Sequence, residues 1–308
     1  MKKIIFLLVK IAVSVGLVIW LIERVDWQVV RSHLYDASIP FLFLYMVLQL
    51  TGNIISTKKW QIIAGFKGLH FTLKEGFFAY LTGAFINNFL PSTIGGDAYR
   101  SLWLARRSGA KAASLSTVLF DRFIGLWTIA LLALLSSVSL WKFFSVSTAL
   151  SIVLIALVAF FIVDLLITYF YCCSWFIRFV ARIPFLQVRR FFEEIIFYTK
   201  KHIWWKTCLW STFFIFVGIV FSNFTLFHAL GSTIDFFSFL SVIFLVTIIS
   251  AVPLSINNIG IKEWAYVTFF SFVGVNAEIA ITVALLSRFL QMIISFIALP
   301  KYLSDREK

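Results

Sequence analysis

The chain has 308 residues, of which 61% are apolar, 19% are aromatic and 13% are charged. A soluble domain has about 45–50% apolar and roughly 25% charged residues, so this composition excludes an ordinary water-soluble enzyme. The net charge is +13, and the basic residues lie in short stretches between long apolar runs. Because a nucleic-acid-binding face needs a soluble basic surface, nucleic acid is not an expected partner.

Cysteine and histidine spacing gives no sign of a metal site. The three cysteines contain no CxxC pair, and the four histidines form no HExxH or comparable spacing. These patterns are what structural zinc sites and metal-dependent hydrolases need. We therefore expect no metal, no disulfide framework and no cofactor.

Six runs of about 20 apolar residues predict membrane spans, because this length crosses roughly 30 Å of hydrocarbon. In chain order the runs are 4–22, 39–57, 115–140, 148–171, 208–230 and 279–300. The first follows Met1-Lys2-Lys3 like a signal peptide, but it is too long and lacks a small-residue cleavage site, so it predicts an uncleaved span. Two further apolar regions, 73–107 and 237–275, are interrupted by Pro- and Gly-containing breaks at 91–96 and 253–260.

Basic clusters predict the orientation, because loops rich in Lys and Arg stay in the cytoplasm. The clusters at 58–74, 106–111 and 178–206 are predicted to be cytoplasmic, as are both termini of a multi-pass protein in the cytoplasmic (inner) membrane. The region between the first two clusters is too short for two crossings. It is therefore predicted to be a re-entrant hairpin with its tip at the break, and 237–275 is predicted to be a second hairpin entering from the opposite side.

The predicted order is span, span, hairpin, span, and it occurs twice with opposite orientation. The predicted fold class is thus an all-α integral membrane protein, a polytopic helical bundle of about six full spans plus two re-entrant helical hairpins in an inverted repeat. Residues 1–308 form a single membrane domain, with 1–141 and 142–308 as the two repeats. Residues 119–124 align with residues 285–290 at an offset of 166, and Asn53 and Asn223 lie in corresponding spans.

The segment 172–207 combines apolar residues at helical spacing with many basic residues. This pattern predicts an amphipathic helix on the cytoplasmic leaflet, attracted to anionic head groups. The alternative interpretation is a plain basic loop.

Charged side chains occur where a bilayer disfavours them, at a cost of roughly 2.5–3.5 kcal/mol each near the membrane centre. They are Asp97, Arg100, Asp121, Arg122, Asp164, Lys262, Glu263 and Arg288, and Asn87, Asn88, Asn257 and Asn258 flank the breaks. Asp121 and Arg122 point about 100° apart on a helix, so they are not expected to pair with each other.

Two interpretations of these residues stay open. In the first, the breaks expose helix N-termini whose N–H groups at Gly95, Gly96 and Gly260 bind an anion. Arg122 and Arg288, related by the repeat, then hold a phosphate. In the second, the acidic residues are counter-ions that join the hairpins to the bundle; they are Asp97, Asp121 and Glu263, facing Arg100, Arg122 and Arg288.

Non-helical backbone in a membrane is tolerated only where protein buries it or where it lines a wet cavity. The breaks at Pro91 and Pro253 therefore predict a polar cavity between the two halves. The candidate substrate-binding residues are Pro91, Ser92, Gly95, Gly96, Asp97, Arg100, Asp121, Arg122, Asn257, Asn258, Gly260, Glu263 and Arg288.

The ordered set of motifs resembles the lysylphosphatidylglycerol synthase transmembrane (flippase-like) family over essentially the whole chain. The residues that carry the resemblance are NFLPSTIGGDAYR at 88–100, LARR at 104–107, DRF at 121–123, Val252-Pro253 and IGIKE at 259–263. The family has a stretch that contains a Pro, then Gly, then Arg, which Pro91, Gly95 and Arg100 resemble. An acid-Arg pair follows in the next span, and a later Pro and Gly signature ends in Glu.

The resemblance implies the membrane half of the multiple peptide resistance factor, which moves an aminoacylated phospholipid from the inner to the outer leaflet. Two features depart from that pattern. The soluble aminoacyl-transferase domain has no counterpart in these 308 residues, so lysyl transfer is not expected. The stretch 257–261 lacks the family's fuller glycine run, so the lipid does not carry over.

We therefore expect a lipid translocator rather than an enzyme, moving a phospholipid or lipid-linked head group between leaflets, with homodimer formation left open. One alternative is an ion-coupled transporter of a small solute, with Asp97, Asp121 or Glu263 as proton carriers. Another is an intramembrane enzyme that acts on lipid or polyprenol phosphates with the same carboxylates.

Overall fold

The computed structural model describes residues 2–90, 94–137, 151–152, 154–162, 193, 198, 203–251 and 255–306. All regular secondary structure in these ranges is helical, as the sequence predicts. The helices are α1 Lys2–Arg24, α2 Trp27–Tyr35, α3 Ile39–Phe66, α4 Leu73–Phe89, α5 Ile94–Ser108, α6 Lys111–Ser136, α7 Ile203–Ala229, α8 Phe236–Ala251, α9 Ile261–Phe270, α10 Ala277–Ser295 and α11 Leu299–Arg306.

Within the described part of the chain, four helices are long and apolar enough to cross a membrane. They are Ile39–Phe66, Lys111–Ser136, Ile203–Ala229 and Ala277–Leu303, and each coincides with a predicted span. The last one joins α10 to the start of α11 through a 3-10 turn at Phe296–Ala298. The chain is thus a multi-pass helical membrane protein. Most of the predicted span 148–171, with Asp164, and most of the segment 172–207 lie outside the described residues, although 154–162 are helical.

Helix α3 is longer than the span predicted at 39–57, because it continues to Phe66. Lys58 and Lys59 therefore lie inside a helix and not in a cytoplasmic loop, and Lys59 is buried. The hydropathy pattern ends the span at the first pair of charges. The helix continues past them because, as described below, Lys59 has an ionic partner inside the bundle.

Each predicted hairpin is a pair of packed helices on either side of a break. Helices α4 and α5 contact each other closely, and a methyl group on Gly83 would lie 2.9 Å from the carbonyl oxygen of Gly96. Helices α8 and α9 also pack together, and the break between them contains a short turn of 3-10 helix at Ile256–Asn258. Entry and exit on one face of the membrane stays a prediction for both pairs.

The element order α3 to α6 recurs as α7 to α10, with a long helix at each end and a broken pair between. The halves interlock, because α8 packs against α6 and α4 packs against α10. Helices α3 and α7 cross where Gly52 faces Gly218, inside a π-helical segment of α7 at Ile215–Phe221. The opposite orientation of the two halves stays a prediction.

The Gly52→Ala variant is expected to lower the free energy of unfolding by about 1–3 kcal/mol, as overpacking does. The added methyl would lie 2.7 Å from Gly218 Cα, so one of two helix backbones has to move. The matched control is Gly65→Ala on the same helix, where the methyl meets open space. Thermal unfolding in detergent, followed by tryptophan fluorescence, should separate the two variants, and equal melting temperatures would contradict the close crossing.

Candidate functional site

A cavity of about 570 Å³ lies between the two halves, where the two breaks predict one. Residues from α3, α6, α7 and α10 line it, together with residues from both broken pairs. Many of the lining side chains are polar: Gln49, Asn53, Asp97, Arg122, Asn223, Thr247, Ser250, Asn258, Lys262, Tyr266, Gln291 and Ser295. Polar groups are costly in hydrocarbon, so a wall of this kind belongs to a space that holds water or a polar ligand.

Arg122 and Asp97 form an ion pair at this cavity. The Nε atom of Arg122 on α6 donates to Asp97 Oδ2 on α5 at 2.7 Å. The pair is accessible, because 51% of the Arg122 side chain and 21% of the Asp97 side chain are exposed. A guanidinium that is half uncovered can still contact an anion, since its planar fork carries five N–H donors.

Arg288 and Glu263 form the equivalent pair in the second half. The Nε and Nη2 atoms of Arg288 on α10 donate to Glu263 Oε1 on α9 at 3.0 and 2.8 Å. The two residues are 25 positions apart, as are Asp97 and Arg122. Both members of the pair recur at the offset of 166 seen in the sequence, so the two halves share an ion pair as well as an element order.

Arg288 also holds the tip of the second break. Its Nη1 donates to the carbonyl oxygen of Asn257 at 3.0 Å, and its Nη2 donates to that of Asn258 at 3.1 Å. Both asparagines adopt left-handed backbone conformations, with φ of 47° and 57°. The guanidinium therefore satisfies two carbonyl groups that a helix would otherwise have bonded.

The glycine N–H groups expected to bind an anion have partners within the chain. The N–H of Gly96 donates to Asn87 Oδ1 at 2.7 Å, and the N–H of Gly260 donates to Glu263 Oε2 at 2.8 Å. Gly95 lies against the side chain of Leu90. Two of the three N–H groups are therefore not open donors, because a nearby side-chain oxygen caps each helix start.

A second ionic cluster is fully buried between α3, α5 and α6. Asp121 Oδ1 lies 3.0 Å from Lys59 Nζ, and Asp121 Oδ2 accepts from Arg100 Nη2 at 2.9 Å. The Arg100 guanidinium also lies over the rings of Trp60 and Tyr80, at 4.8 and 4.2 Å from their centroids. Asp121 thus compensates two cations, and it does not pair with Arg122, as the helix geometry predicts.

Lys262 lines the cavity from the second half without a carboxylate partner among the described residues. Its Nζ donates to Ser287 Oγ at 2.7 Å. Ser287 stands where the offset of 166 places Asp121 in the first half, and a hydroxyl cannot neutralise the ammonium. With Asp97 facing Arg122, the cavity wall keeps one cation in excess.

The predicted site residues that the structure describes, apart from the three glycines discussed above, divide into three groups. Asp97, Arg122 and Asn258 line the cavity. Glu263, Arg288 and Asn257 lie one contact behind it, and Arg100 and Asp121 belong to the buried cluster. Pro91, Ser92 and Pro253 lie outside the described residues.

Three residues of the site and the buried cluster are not among the candidates from the sequence: Lys59, Gln49 and Lys262. Lys262 does appear there as an intramembrane charge. Gln49 Nε2 donates to the carbonyl oxygen of Gly218 at 2.8 Å, next to the helix crossing. A signal was present in the sequence. The buried positions of α3 include Tyr45, Gln49, Gly52, Ser56, Lys59 and Ile63, spaced alternately by four and three residues. This is the period of one helix face, and it places Lys59 with the other inward polar groups.

Fold and cavity define a class: a multi-pass helical membrane protein with two similar halves and a polar, positively charged cavity between them. The chain belongs to the family described as the lysylphosphatidylglycerol synthase TM region, which it matches over residues 7–298. It is 23% identical over 280 residues to a UPF0104 membrane protein of Methanocaldococcus jannaschii, covering 85% of this chain and 83% of that relative. It is 22% identical over 281 residues to a UPF0104 membrane protein of Methanothermobacter thermautotrophicus, covering 84% and 83%. No solved structure matches the chain.

Proposed function

We propose that this protein moves a phospholipid or a lipid-linked head group between the leaflets of the membrane. The head group occupies the central cavity while the acyl chains stay in the surrounding lipid. The observation that carries the proposal is the cavity itself, which both halves line and whose wall has an excess cation. Movement of one half against the other would open such a site to each leaflet in turn.

Arg122 and Lys262 give the cavity its affinity for a phosphate. They come from different halves, so a phosphate that contacts both would bridge the elements that have to move. Arg binds phosphate through two parallel N–H donors, and Lys adds a point charge. Asp97 lies beside Arg122, with 2.7 Å between Asp97 Oδ2 and Arg122 Nε. A zwitterionic head group whose phosphate contacts Arg122 would therefore have a carboxylate nearby for its amine.

The arrangement of the carboxylates supports translocation over the two alternatives. A proton carrier or a general acid needs a carboxyl group that can exchange protons with a substrate or solvent. Asp121 contacts two cations, and Asp97 and Glu263 each accept from an arginine. No carboxylate in the cavity wall of the described residues stands without a cationic partner. The family description also refers to an enzyme of lipid metabolism, which favours a lipid over a soluble solute.

The experiment is transbilayer movement of a fluorescent phospholipid in liposomes that contain the purified protein. The wild type should accelerate movement over protein-free liposomes. The double variant Arg122→Gln, Lys262→Met should return the rate to the protein-free level, because no cation then offsets the dehydration of the phosphate.

The control is Arg31→Gln, which removes an exposed guanidinium from α2, away from the cavity. It should translocate lipid like the wild type. An unchanged rate in the double variant would overturn the head-group site. Failure of the wild type to accelerate any lipid of an anionic and zwitterionic panel would overturn the proposed function.

A further inference from the structure

Asp97 lies between two arginines, and each of its carboxylate oxygens faces one of them. Oδ2 accepts from Arg122 Nε at 2.7 Å in the central cavity, while Oδ1 lies 3.9 Å from Nη2 of Arg100 on the same helix. Residues three positions apart on a helix are neighbours on one face, so a small rotation of the Asp97 side chain is enough to close the longer contact. The carboxylate therefore has a bonded partner at the cavity and a second cation within reach behind it.

The buried cluster behind Asp97 lacks one negative charge. Lys59 and Arg100 bring two cations, and Asp121 is the carboxylate that both of them contact. The Nε atom of Arg100 is buried and donates to no acceptor among the described residues. A buried donor without an acceptor is costly, and so is a buried charge that is not compensated. A second carboxylate at the Arg100 guanidinium would relieve both costs.

The second half lacks this arrangement. The offset of 166 places Tyr266 at the position of Arg100. The Tyr266 hydroxyl is neutral, and it donates to Asn223 Oδ1 at 2.8 Å. Both oxygens of Glu263, the equivalent of Asp97, already accept hydrogen bonds. Only the first half therefore offers its cavity carboxylate two arginines.

We infer that Asp97 is a positioning residue that exchanges between Arg122 and Arg100. When an anionic group that brings no amine of its own binds Arg122, the Asp97 carboxylate turns to the Arg100 guanidinium and leaves the Arg122 donors to the anion. The inference rests on the proposed function only in placing an anion at Arg122. Because the buried cluster joins α3, α5 and α6, the exchange transmits the presence of an anion in the cavity to the helix contacts behind it.

The two positions of the carboxylate differ in what they leave open to a ligand. A ligand shifts an equilibrium between two arrangements only through a difference in its affinity for them. Here the difference is the Nε donor of Arg122, which Asp97 occupies in the empty cavity and vacates after the exchange. The donor that gains a partner in return is Nε of Arg100.

The test measures anion binding, so it does not depend on translocation. Purified protein in detergent is titrated with inorganic phosphate, and the heat of binding is recorded. Arg100→Lys keeps the charge beside Asp121 but removes the planar fork, so Asp97 loses its second position. Phosphate binding should weaken roughly ten-fold, within the usual range for coupled sites. Asp97→Asn should bind phosphate roughly ten-fold more tightly than the wild type, because Arg122 then has no internal competitor.

A double variant distinguishes the exchange from a simple effect of charge. The loss of a nearby negative charge would also tighten phosphate binding in Asp97→Asn, but Arg100→Lys changes no charge and would then have no effect. If the exchange occurs, the double variant Asp97→Asn, Arg100→Lys should bind phosphate like Asp97→Asn, since Arg100 acts only through Asp97. The control Arg107→Lys changes an arginine on the same helix that pairs with Glu75, and it should bind phosphate like the wild type.

Three results would overturn the inference. They are unchanged phosphate binding in Arg100→Lys, an equal loss from Arg100→Lys with and without Asp97, and phosphate binding that survives Arg122→Gln. If the expected binding pattern is found but the wild type moves no lipid, the exchange is supported and the proposed function is contradicted.

Discussion

Replacing Asp121 with Asn is expected to lower the free energy of unfolding by about 3–5 kcal/mol, the usual cost of removing one partner from a buried ion pair. Asn keeps the size of the side chain and removes its charge. Lys59 then loses the carboxylate with which it pairs, and Arg100 keeps only the more distant Asp97, whose Oδ1 lies 3.9 Å from Arg100 Nη2. The loss should appear as a reduced midpoint in SDS-induced unfolding of the purified protein.

A partner variant distinguishes charge from packing. Adding Lys59→Met to Asp121→Asn removes the buried ammonium group that has lost its carboxylate, while keeping a long apolar side chain. We expect the double variant to be more stable than Asp121→Asn alone, because an unpaired buried charge is costly and Lys59→Met removes it. The control Asp36→Asn changes the same charge at an exposed position after α2 and should leave the midpoint unchanged. If Asp36→Asn and Asp121→Asn behave alike, the buried cluster does not hold the helices together.

The helices themselves could be predicted because their cause is local. A run of about 20 apolar residues crosses the membrane whatever it packs against, and the spans predicted at 115–140 and 279–300 coincide with long helices. The breaks were predictable for the same reason, since a Pro and Gly stretch ends a helix by its own chemistry. The polar cavity followed, because irregular backbone inside a membrane needs polar surroundings.

The pairing of charges was not predictable, because it depends on which helices meet. Asp121 binds Lys59, which is 62 residues away, and a basic residue at the end of a span usually marks a cytoplasmic loop. The rule that basic loops stay in the cytoplasm therefore predicts that Lys59 lies in a cytoplasmic loop. The buried face of α3 carries the information that corrects this, but only when the residues beyond the apolar run are included in the helix.

The offset of 166 was more informative than its individual matches suggested. In sequence it aligned Arg122 with Arg288 among common apolar residues. In the structure it also aligns Asp97 with Glu263, and it carries an ion pair from one half to the other. The same offset makes Ser287 the equivalent of Asp121. Because the second half has a serine at this position and no aspartate, Lys262 bonds to a hydroxyl group and not to a carboxylate. Lys262 is therefore identified as a residue to test by this difference between the halves, and not by what the halves share.

Replacing Arg288 with Met is expected to be as damaging as the loss of Asp121, again about 3–5 kcal/mol. It leaves Glu263, whose side chain is only 4% exposed, without its ion-pair partner. It also removes the donors to the carbonyl oxygens of Asn257 and Asn258, so the left-handed tip loses its support. Thermal unfolding in detergent should report the loss.

Arg288→Lys should recover little of this stability, although it restores the charge. One ammonium group cannot reproduce a planar fork that reaches a carboxylate and two carbonyl groups together. The control Arg24→Met removes an exposed arginine at the end of α1 and should melt like the wild type. Full recovery in Arg288→Lys would mean that charge alone is required. In that case the ion pair between residue 288 and Glu263 would be enough to stabilise the second break. The hydrogen bonds to Asn257 and Asn258 would not contribute to stability.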